Sequence, residues 1–423
     1  MKAMKNILEQ HKQEAAVLQS GKYIDRLHGY NKDEILRSSL VKLITGPRRS
    51  GKSVFAFLLL KDLPFAYMNF DDDDLLKVFS YDKMMEILPQ VFPGFKYIFL
   101  DEIQNLDNWE SLVNKLHRRG HNLILTGSNS KLLSREMSTA LTGRYLPIHL
   151  LPFSFKEFLS SQHKSINPQN IRTPDDLGSV LQVMQQYMTN GGFPESVNNP
   201  LLADEYLSTL FDSVLLKDII RRFSIKNAQQ LYSLANYMLT IFSGTFTYNS
   251  LREILGMKST TTVQKFASYL EEPFLFYYMS RFGNKVSIRS KSPKKVYVVD
   301  NGFIKSRSHE LSPNYGRRLE NLVFIELIRR GYRPDLDLFY YRTQNNKEID
   351  FLCKKGHQNE YLIQVCYDIS KPATLKREIS ALTEASMELN PAKSILLTWN
   401  ETPQLSSPII SLPVWKWLLA ERD

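Results

Sequence analysis

Residues 46–53 spell GPRRSGKS, and this octet constrains the fold of the chain more than any other feature. It matches the pattern GxxxxGK(S/T), in which two glycines let the backbone turn so that successive N–H groups point at one phosphate. The apolar run VKLIT leads directly into the octet, and the helix-forming run SVFAFLLLKDL leaves it. A phosphate bound there would lie at a helix N-terminus, where the helix dipole favours negative charge. The octet therefore predicts a strand, a phosphate-binding loop and a helix, in that order.

The chemistry of the octet assigns roles to its side chains. Lys52 is expected to reach the terminal phosphates of a nucleoside triphosphate, and Ser53 to present its hydroxyl to Mg²⁺. We expect the nucleotide to be bound by Gly46, Pro47, Arg48, Arg49, Ser50, Gly51, Lys52, Ser53 and Val54.

A second motif supplies the acids that hydrolysis at such a loop requires. In KYIFLDEIQ, Asp101 follows a buried strand and Glu102 comes next. We expect Asp101 to hold Mg²⁺ through water, and Glu102 to orient or deprotonate the attacking water. Asp-Glu after an apolar strand is common by itself. The pair indicates a catalytic site here because the same chain also contains the phosphate-binding loop.

Three further side chains are candidates for the same chemistry. NLILT is followed by Gly127, Ser128 and Asn129. Either polar side chain could hydrogen-bond the γ-phosphate or the water, although a plain strand-to-helix turn would look the same. Arg144, in LTGRY, could stabilise charge on the transferred phosphoryl group, often from a neighbouring subunit, or could be an ordinary surface arginine.

The composition is that of a folded chain in a reducing compartment. Hydrophobic residues make up 43% of the 423 residues and charged residues 23%, which excludes a disordered or fibrous chain. Two cysteines, Cys353 and Cys366, cannot form a disulfide framework. The sequence shows neither a signal peptide nor an apolar run of membrane-spanning length, so we expect a cytoplasmic protein.

The motifs GPRRSGKS, YIFLDEIQ, ILTGSNS and LTGRY, followed by LPFSFKEF, resemble those of prokaryotic AAA-type ATPases of the archaeal-ATPase clade. The resemblance implies ASCE-type ATP hydrolysis with Mg²⁺, and assembly into a homo-oligomer such as a hexamer. It also implies a winged-helix-like region and a C-terminal domain of unknown function related to PD-(D/E)XK nucleases.

Apolar patterns and this resemblance together predict the domain organisation. Five apolar runs between about residues 40 and 160 alternate with helical patterns, which is typical of a parallel α/β sheet. The predicted divisions are an N-terminal helical arm at 1–38, a P-loop AAA-like core at 39–160, a helical, winged-helix-like domain at 161–300, and an α+β, restriction-endonuclease-like domain at 301–423.

The middle region is expected to face DNA. Two short predicted helices meet near Gly256, as in a helix-turn-helix, and a basic run without acids follows them. Such a run would bind a duplex backbone, and the net charge of +10 is compatible with a polyanion. Alternatively, the run is a solvated loop and the helices serve as a lid or spacer on the ATPase. The DNA-contact candidates are Thr261, Gln264, Lys265, Arg281, Lys285, Arg289, Lys291, Lys294 and Lys295.

The C-terminal domain carries an incomplete nuclease motif. By resemblance, Glu320 matches the helix acid and Asp350 the strand acid, whereas Gln364 replaces the second strand acid and Cys366 the lysine. Two carboxylates can hold Mg²⁺. Cleavage would still need a lysine or base from elsewhere, for which Lys347 and Lys371 are speculative. We therefore expect a binding scaffold rather than a nuclease.

The sequence thus predicts a Mg²⁺-dependent ATP hydrolase whose nucleotide cycle acts on bound DNA, with branched or duplex DNA as the expected form. Two alternatives stay open. One is an NTPase switch of defence or signalling type that acts on protein partners, and the other is an ATP-gated nuclease.

Overall fold

The computed structural model describes residues 2–26, 31–129, 143–283, 292–307, 313–405 and 408–420. The chain forms two compact units: unit 1 comprises Met1–Pro152 and Glu272–Phe274, and unit 2 comprises Phe153–Glu271 and Leu275–Asp423. The four-part division expected from the sequence stays a prediction. Among the described helices, none has the length and apolar character needed to cross a membrane.

A five-stranded parallel sheet forms the core of unit 1. Its strands are β1 (Val41–Thr45), β2 (Phe65–Asn69), β3 (Tyr97–Asp101), β4 (Asn122–Gly127) and β5 (Tyr145–His149). They lie in the order β2-β3-β4-β1-β5 with every neighbouring pair parallel, so the carboxyl ends of β1, β3 and β4 adjoin. Nearly continuous apolar runs build these strands, because both faces of the sheet are buried. The predicted parallel α/β architecture is confirmed.

Helices pack around this sheet. They are α1 (Lys2–Ser20), α2 (Lys32–Arg37), α3 (Lys52–Leu59), α4 (Asp73–Val78), α5 (Tyr81–Val91) and α6 (Trp109–Arg118), with a 3₁₀ turn at Ile103–Asn105. The buried residues of α1 are Met4, Leu8, His11 and Ala15, whose three- and four-residue spacing places them on one helix face. That face packs against β2, α3, α4 and α5.

The first part of unit 2 is mainly helical. Its helices are α7 (Phe155–Ser161), α8 (Pro174–Asn190), α9 (Pro194–Asn198), α10 (Ala203–Ser213), α11 (Ala228–Thr240), α12 (Tyr248–Ile254) and α13 (Thr260–Glu271), with 3₁₀ turns at Pro168–Asn170 and Pro200–Leu202. Helix type changes directly after α10, because Val214–Arg221 is a π-helix.

Two sheets complete unit 2. The smaller contains β6 (Thr245–Phe246), β7 (Phe276–Met279) and β8 (Lys294–Val298), antiparallel in the order β6-β8-β7. The larger contains β9 (Leu338–Arg342), β10 (Glu348–Lys355), β11 (Gln358–Cys366), β12 (Lys393–Thr398) and β13 (Ile409–Pro413). Its order is β13-β12-β11-β10-β9, with antiparallel pairing from β9 to β11 and parallel pairing from β11 to β13.

The remaining helices of unit 2 are α14 (Asn301–Arg307), α15 (Tyr315–Arg329), α16 (Pro372–Leu389) and α17 (Val414–Leu419). Both α15 and α16 pack against β11. They therefore bring side chains of the C-terminal region next to the middle strand of the larger sheet.

Candidate functional site

The phosphate-binding loop connects β1 to α3, as the sequence predicts. Gly46 has a φ of 151° and Gly51 a φ of 91°, both in the region that favours glycine. A Cβ atom on Gly46 would lie 2.1 Å from the carbonyl oxygen of Leu150, so only glycine fits there. The buried Ser50 hydroxyl has no hydrogen-bond partner among the described residues, so it can bond to a ligand that enters the loop.

Lys52 lies inside this loop. Its side chain is almost fully buried, and its Nζ donates to the carbonyl oxygen of Pro47 at 3.1 Å. The same ammonium lies 3.5 Å from Oε1 of Glu102. A phosphate on the loop N–H groups would meet this ammonium, and the role of Lys52 stays a prediction.

Ser53 and Asp101, the two residues expected to bind the metal, are in direct contact. The Ser53 hydroxyl donates to Oδ1 of Asp101 at 2.9 Å, and Tyr67 and Thr126 also donate to that carboxylate. Burial, together with the charge of Glu102, raises the pKa of Asp101 to about 6. The described residues contain no group of three or more His, Cys, Asp and Glu side chains that could hold a metal. One hydroxyl and one carboxylate nevertheless fit Mg²⁺, which usually keeps several waters and takes substrate phosphate oxygens as ligands.

Glu102 follows β3 and faces the loop lysine. It has a φ of 50°, and its Oε2 accepts hydrogen bonds from the Ser128 hydroxyl at 3.1 Å and from Nε2 of Gln104 at 2.5 Å. Burial by itself would raise the pKa of Glu102, but Lys52 and the bond from Gln104 lower it below its ordinary value. Glu102 is therefore an ionised acceptor at neutral pH, as a general base must be.

The residues after β4 are at the site, as predicted. Ser128 and Asn129 are both buried, and Ser128 touches Glu102 directly. Three other members of this network were not predicted from the sequence, namely Gln104, Tyr67 and Thr126. For Gln104, the available signal was its position two residues after Glu102 in DEIQ.

Arg144 lies away from the loop of its own chain. It precedes β5, its carbonyl oxygen accepts from the N–H of Val41, and β1 and β5 run parallel. Arg144 is thus at the amino end of the strands, and the loop is at the carboxyl end. The two ends of β1 are four residue steps apart, which at ~3.3 Å per residue separates them by about 13 Å. Arg144 lines a cavity of about 430 Å³ with Ser111, Asn114 and Arg118. A catalytic role within one chain is contradicted, whereas action on a neighbouring subunit stays a prediction.

The DNA-contact candidates divide into three groups. Thr261, Gln264 and Lys265 are exposed on α13, as a contact surface requires. Lys285, Arg289 and Lys291 lie outside the described residues. The third group, Arg281, Lys294 and Lys295, is engaged inside unit 2.

Within that third group, Lys295 was wrongly predicted as a DNA contact. Arg281 donates to the carbonyl oxygen of Arg342, and Lys294 pairs with Asp335 at 3.4 Å. Lys295 points into the protein from β8 and is only 2% exposed. The sequence could not show that Lys295 is buried, because a run of basic residues does not reveal which face of the strand each side chain occupies.

Lys295 joins the acids of the incomplete nuclease motif. Its Nζ lies 2.8 Å from Glu320, 2.9 Å from Glu348 and 3.1 Å from Asp350. Burial by itself would lower the pKa of Lys295, but these three carboxylates raise it well above its ordinary value. The Tyr297 hydroxyl also donates to Glu320. An ammonium therefore lies at the point where the carboxylates converge.

The other residues of the motif are also accounted for. Gln364 accepts from the N–H of Asp350 and donates to Glu378, so it belongs to the same network. Burial raises the pKa of Cys366 to about 11, which keeps the thiol protonated. Lys347 pairs with Glu384 and donates to Ser380. Its ammonium is therefore bound by other side chains, and the lysine found beside Glu320 and Asp350 is Lys295, which lies outside the motif.

Three family models match the chain. Residues 38–159 match an AAA domain, residues 181–310 a domain of unknown function (DUF8612), and residues 315–417 another domain of unknown function (DUF4143). The chain is 34% identical over 400 residues to an uncharacterized protein of Methanocaldococcus jannaschii, covering 90% of this chain and 88% of that one. It is 33% identical over 350 residues to an uncharacterized protein of Haemophilus influenzae, covering 78% and 84%.

Among solved structures, the Walker-type ATPase of Pyrococcus abyssi is similar with a TM-score of 0.44 and 13% identity. The match covers 68% of this chain and 99% of that one.

Proposed function

The chain belongs to the same family as its uncharacterized Methanocaldococcus jannaschii relative, and because residues 38–159 match an AAA domain we propose that it is a Mg²⁺-dependent ATP hydrolase. One observation carries the proposal. The Ser53 hydroxyl lies 2.9 Å from Oδ1 of Asp101, and the buried ammonium of Lys52 nearby lies 3.5 Å from Oε1 of Glu102. These four side chains supply a metal-binding pair, a phosphate-binding cation and a base in one place.

Each group has a defined part in the reaction. The loop N–H groups and Lys52 bind the phosphates, while Ser53 and Asp101 would hold Mg²⁺. When bound, the metal neutralises charge on the phosphate oxygens. Glu102 orients a water for attack on the γ-phosphorus and accepts its proton as the bond to ADP breaks. Ser128 and Gln104 hold the Glu102 carboxylate in place.

Substitution of Glu102 tests this proposal. We expect Glu102→Gln to bind Mg²⁺-ATP as the wild type does and to hydrolyse it about 10²-fold more slowly or worse, since only the base is lost. Phosphate release gives the rate and calorimetry gives the affinity. Glu86→Gln, on an exposed position of α5, is the matched control. If Glu102→Gln hydrolyses ATP at the wild-type rate, Glu102 is not part of the mechanism. If calorimetry of the wild type detects no heat of binding with ATP or ADP, the chain has no nucleotide site.

We propose DNA as the partner on which this hydrolysis acts. The support is the exposed face of α13 with Thr261, Gln264 and Lys265, which follows the short helix α12. The three-stranded antiparallel sheet beside these helices suits a winged-helix arrangement. Such a domain can place its second helix in the major groove and its basic residues along the backbone.

DNA-stimulated turnover distinguishes this partner from a protein. We expect duplex or four-way DNA to raise the ATPase rate, and Lys265→Glu to weaken DNA binding and reduce the stimulation. Lys217→Glu, on the exposed face of the π-helix, is the control for the charge change. A rate that is indifferent to every DNA form would instead favour the protein-directed switch.

A further inference from the structure

Arg26, in the segment that follows α1, contacts the phosphate-binding loop from outside. Its Nη1 donates to the carbonyl oxygen of Ser50 at 2.7 Å, and its Nη2 donates to the carbonyl oxygen of Leu151 at 2.6 Å. Both are charge-assisted bonds to backbone, and one guanidinium makes them together. The N-terminal arm therefore does more than cover the sheet with α1.

The position of the two carbonyls gives this contact its meaning. The peptide group that contains the Ser50 carbonyl also contains the N–H of Gly51, in the turn that the loop uses to face a phosphate. A cation on the carbonyl side polarises that peptide group and strengthens its N–H as a donor on the other side. A Cβ atom on Gly51 would lie 3.2 Å from Nη1 of Arg26, which shows how closely the guanidinium borders the turn.

The second carbonyl connects the loop to the chain after β5. The neighbouring Leu150 bonds through its N–H to the carbonyl oxygen of Thr45, and its own carbonyl oxygen borders Gly46. Residues 150 and 151 thus contact the start of the loop directly and its end through Arg26. Without Arg26, the end of the loop loses this connection.

We propose that Arg26 is a positioning residue of the nucleotide site, which holds residues 50–51 in the conformation that binds phosphate. This inference rests on the proposed ATPase function. Arg26 acts through the loop and not on the reacting atoms, so it should change nucleotide affinity more than the chemical step.

Two substitutions and a control test the proposal on the full chain. We expect Arg26→Gln to raise the Kd for Mg²⁺-ATP and the KM about tenfold, with kcat changed far less. Such a loss is typical for one charge-assisted hydrogen bond. Arg26→Lys keeps the positive charge but not the planar fork that bonds two carbonyl oxygens at once, and should recover part of the affinity. Arg37→Gln removes an exposed positive charge from α2 and should leave all three quantities unchanged.

The possible results separate the two proposals. If the wild type binds no nucleotide, the ATPase proposal fails and the role of Arg26 fails with it. If the wild type binds and hydrolyses ATP but Arg26→Gln has the same Kd and KM, only the Arg26 proposal is overturned. It is also overturned if Arg26→Gln merely lowers the unfolding temperature of the nucleotide-free protein while the folded fraction binds ATP with wild-type affinity.

Discussion

Each unit contains a buried lysine beside carboxylates, but the two lysines have different surroundings. Lys52 lies 3.5 Å from one carboxylate and donates to a loop carbonyl, whereas Lys295 lies within 3.1 Å of three carboxylates. An ammonium has three donors. Those of Lys295 are all directed at acids of its own chain, while Lys52 can exchange its bond to the Pro47 carbonyl for a phosphate oxygen.

The backbone around each lysine adds to this difference. Lys52 begins a helix directly after a glycine turn, so nearby N–H groups have no intrahelical partner and can bind an anion. Lys295 lies in β8 between β6 and β7, where the strand N–H groups bond within the sheet. The same residue types thus make a ligand site in one unit and an internal ion cluster in the other, and the backbone decides which.

Removing Lys295 should have the largest effect on stability. We expect Lys295→Met to lower the free energy of unfolding by about 3–5 kcal/mol, because three largely buried acids lose their shared cation. Urea denaturation measures this. Lys294→Met is the adjacent control, since its single, more exposed pair with Asp335 is worth about 0–1 kcal/mol. Equal losses in the two variants would show that the cluster does not stabilise unit 2.

Removing the Ser53 hydroxyl, which we propose binds Mg²⁺, should affect catalysis and not folding. We expect Ser53→Ala to slow ATP hydrolysis about 10²-fold, a loss of about 2.7 kcal/mol in transition-state stabilisation, and to raise the Mg²⁺ concentration required. Ser111→Ala, on an exposed position of α6, should be neutral in the same phosphate-release assay. If Ser53→Ala needs no more Mg²⁺ than the wild type, Ser53 is not a metal ligand.

The pH dependence of stability should sharpen the contrast. Burial and Asp350 raise the pKa of Glu320 to about 7 even though Lys295 lowers it, so the pKa must rise further in Lys295→Met. A raised pKa in the folded state means that stability is lost as pH rises through that value. The stability deficit of Lys295→Met should therefore shrink by about 1–2 kcal/mol between pH 8 and pH 5. Parallel urea titrations at the two pH values measure this, and an unchanged deficit would contradict a charged cluster.

The smallest expected effect is on DNA cleavage. Because Lys295 occupies the point where Glu320 and Asp350 converge, we expect no Mg²⁺-dependent cleavage of supercoiled or branched DNA, with or without ATP. Asp350→Ala should then be indistinguishable from the wild type on a gel. Cleavage that disappears in Asp350→Ala would establish the ATP-gated nuclease instead.

The sequence by itself determined the nucleotide site because the information is local. The strand, the glycine turn and the helix are consecutive, and the parallel sheet brings the carboxyl ends of β1, β3 and β4 together whatever surrounds them. Lys52, Ser53, Asp101, Glu102 and Ser128 could therefore be placed from motifs and strand ends.

Only the tertiary structure decided the roles of Lys295, Arg26 and Arg144. Lys295 meets Asp350 across 55 residues, and Arg26 reaches Leu151 across 125. Arg144 belongs to LTGRY, one of the motifs that accompany the loop in the sequence, but it lies at the other end of the strands. Whether a charged side chain faces solvent, an acid or a carbonyl depends on strand register and on which distant segments pack against it, and local composition contains neither.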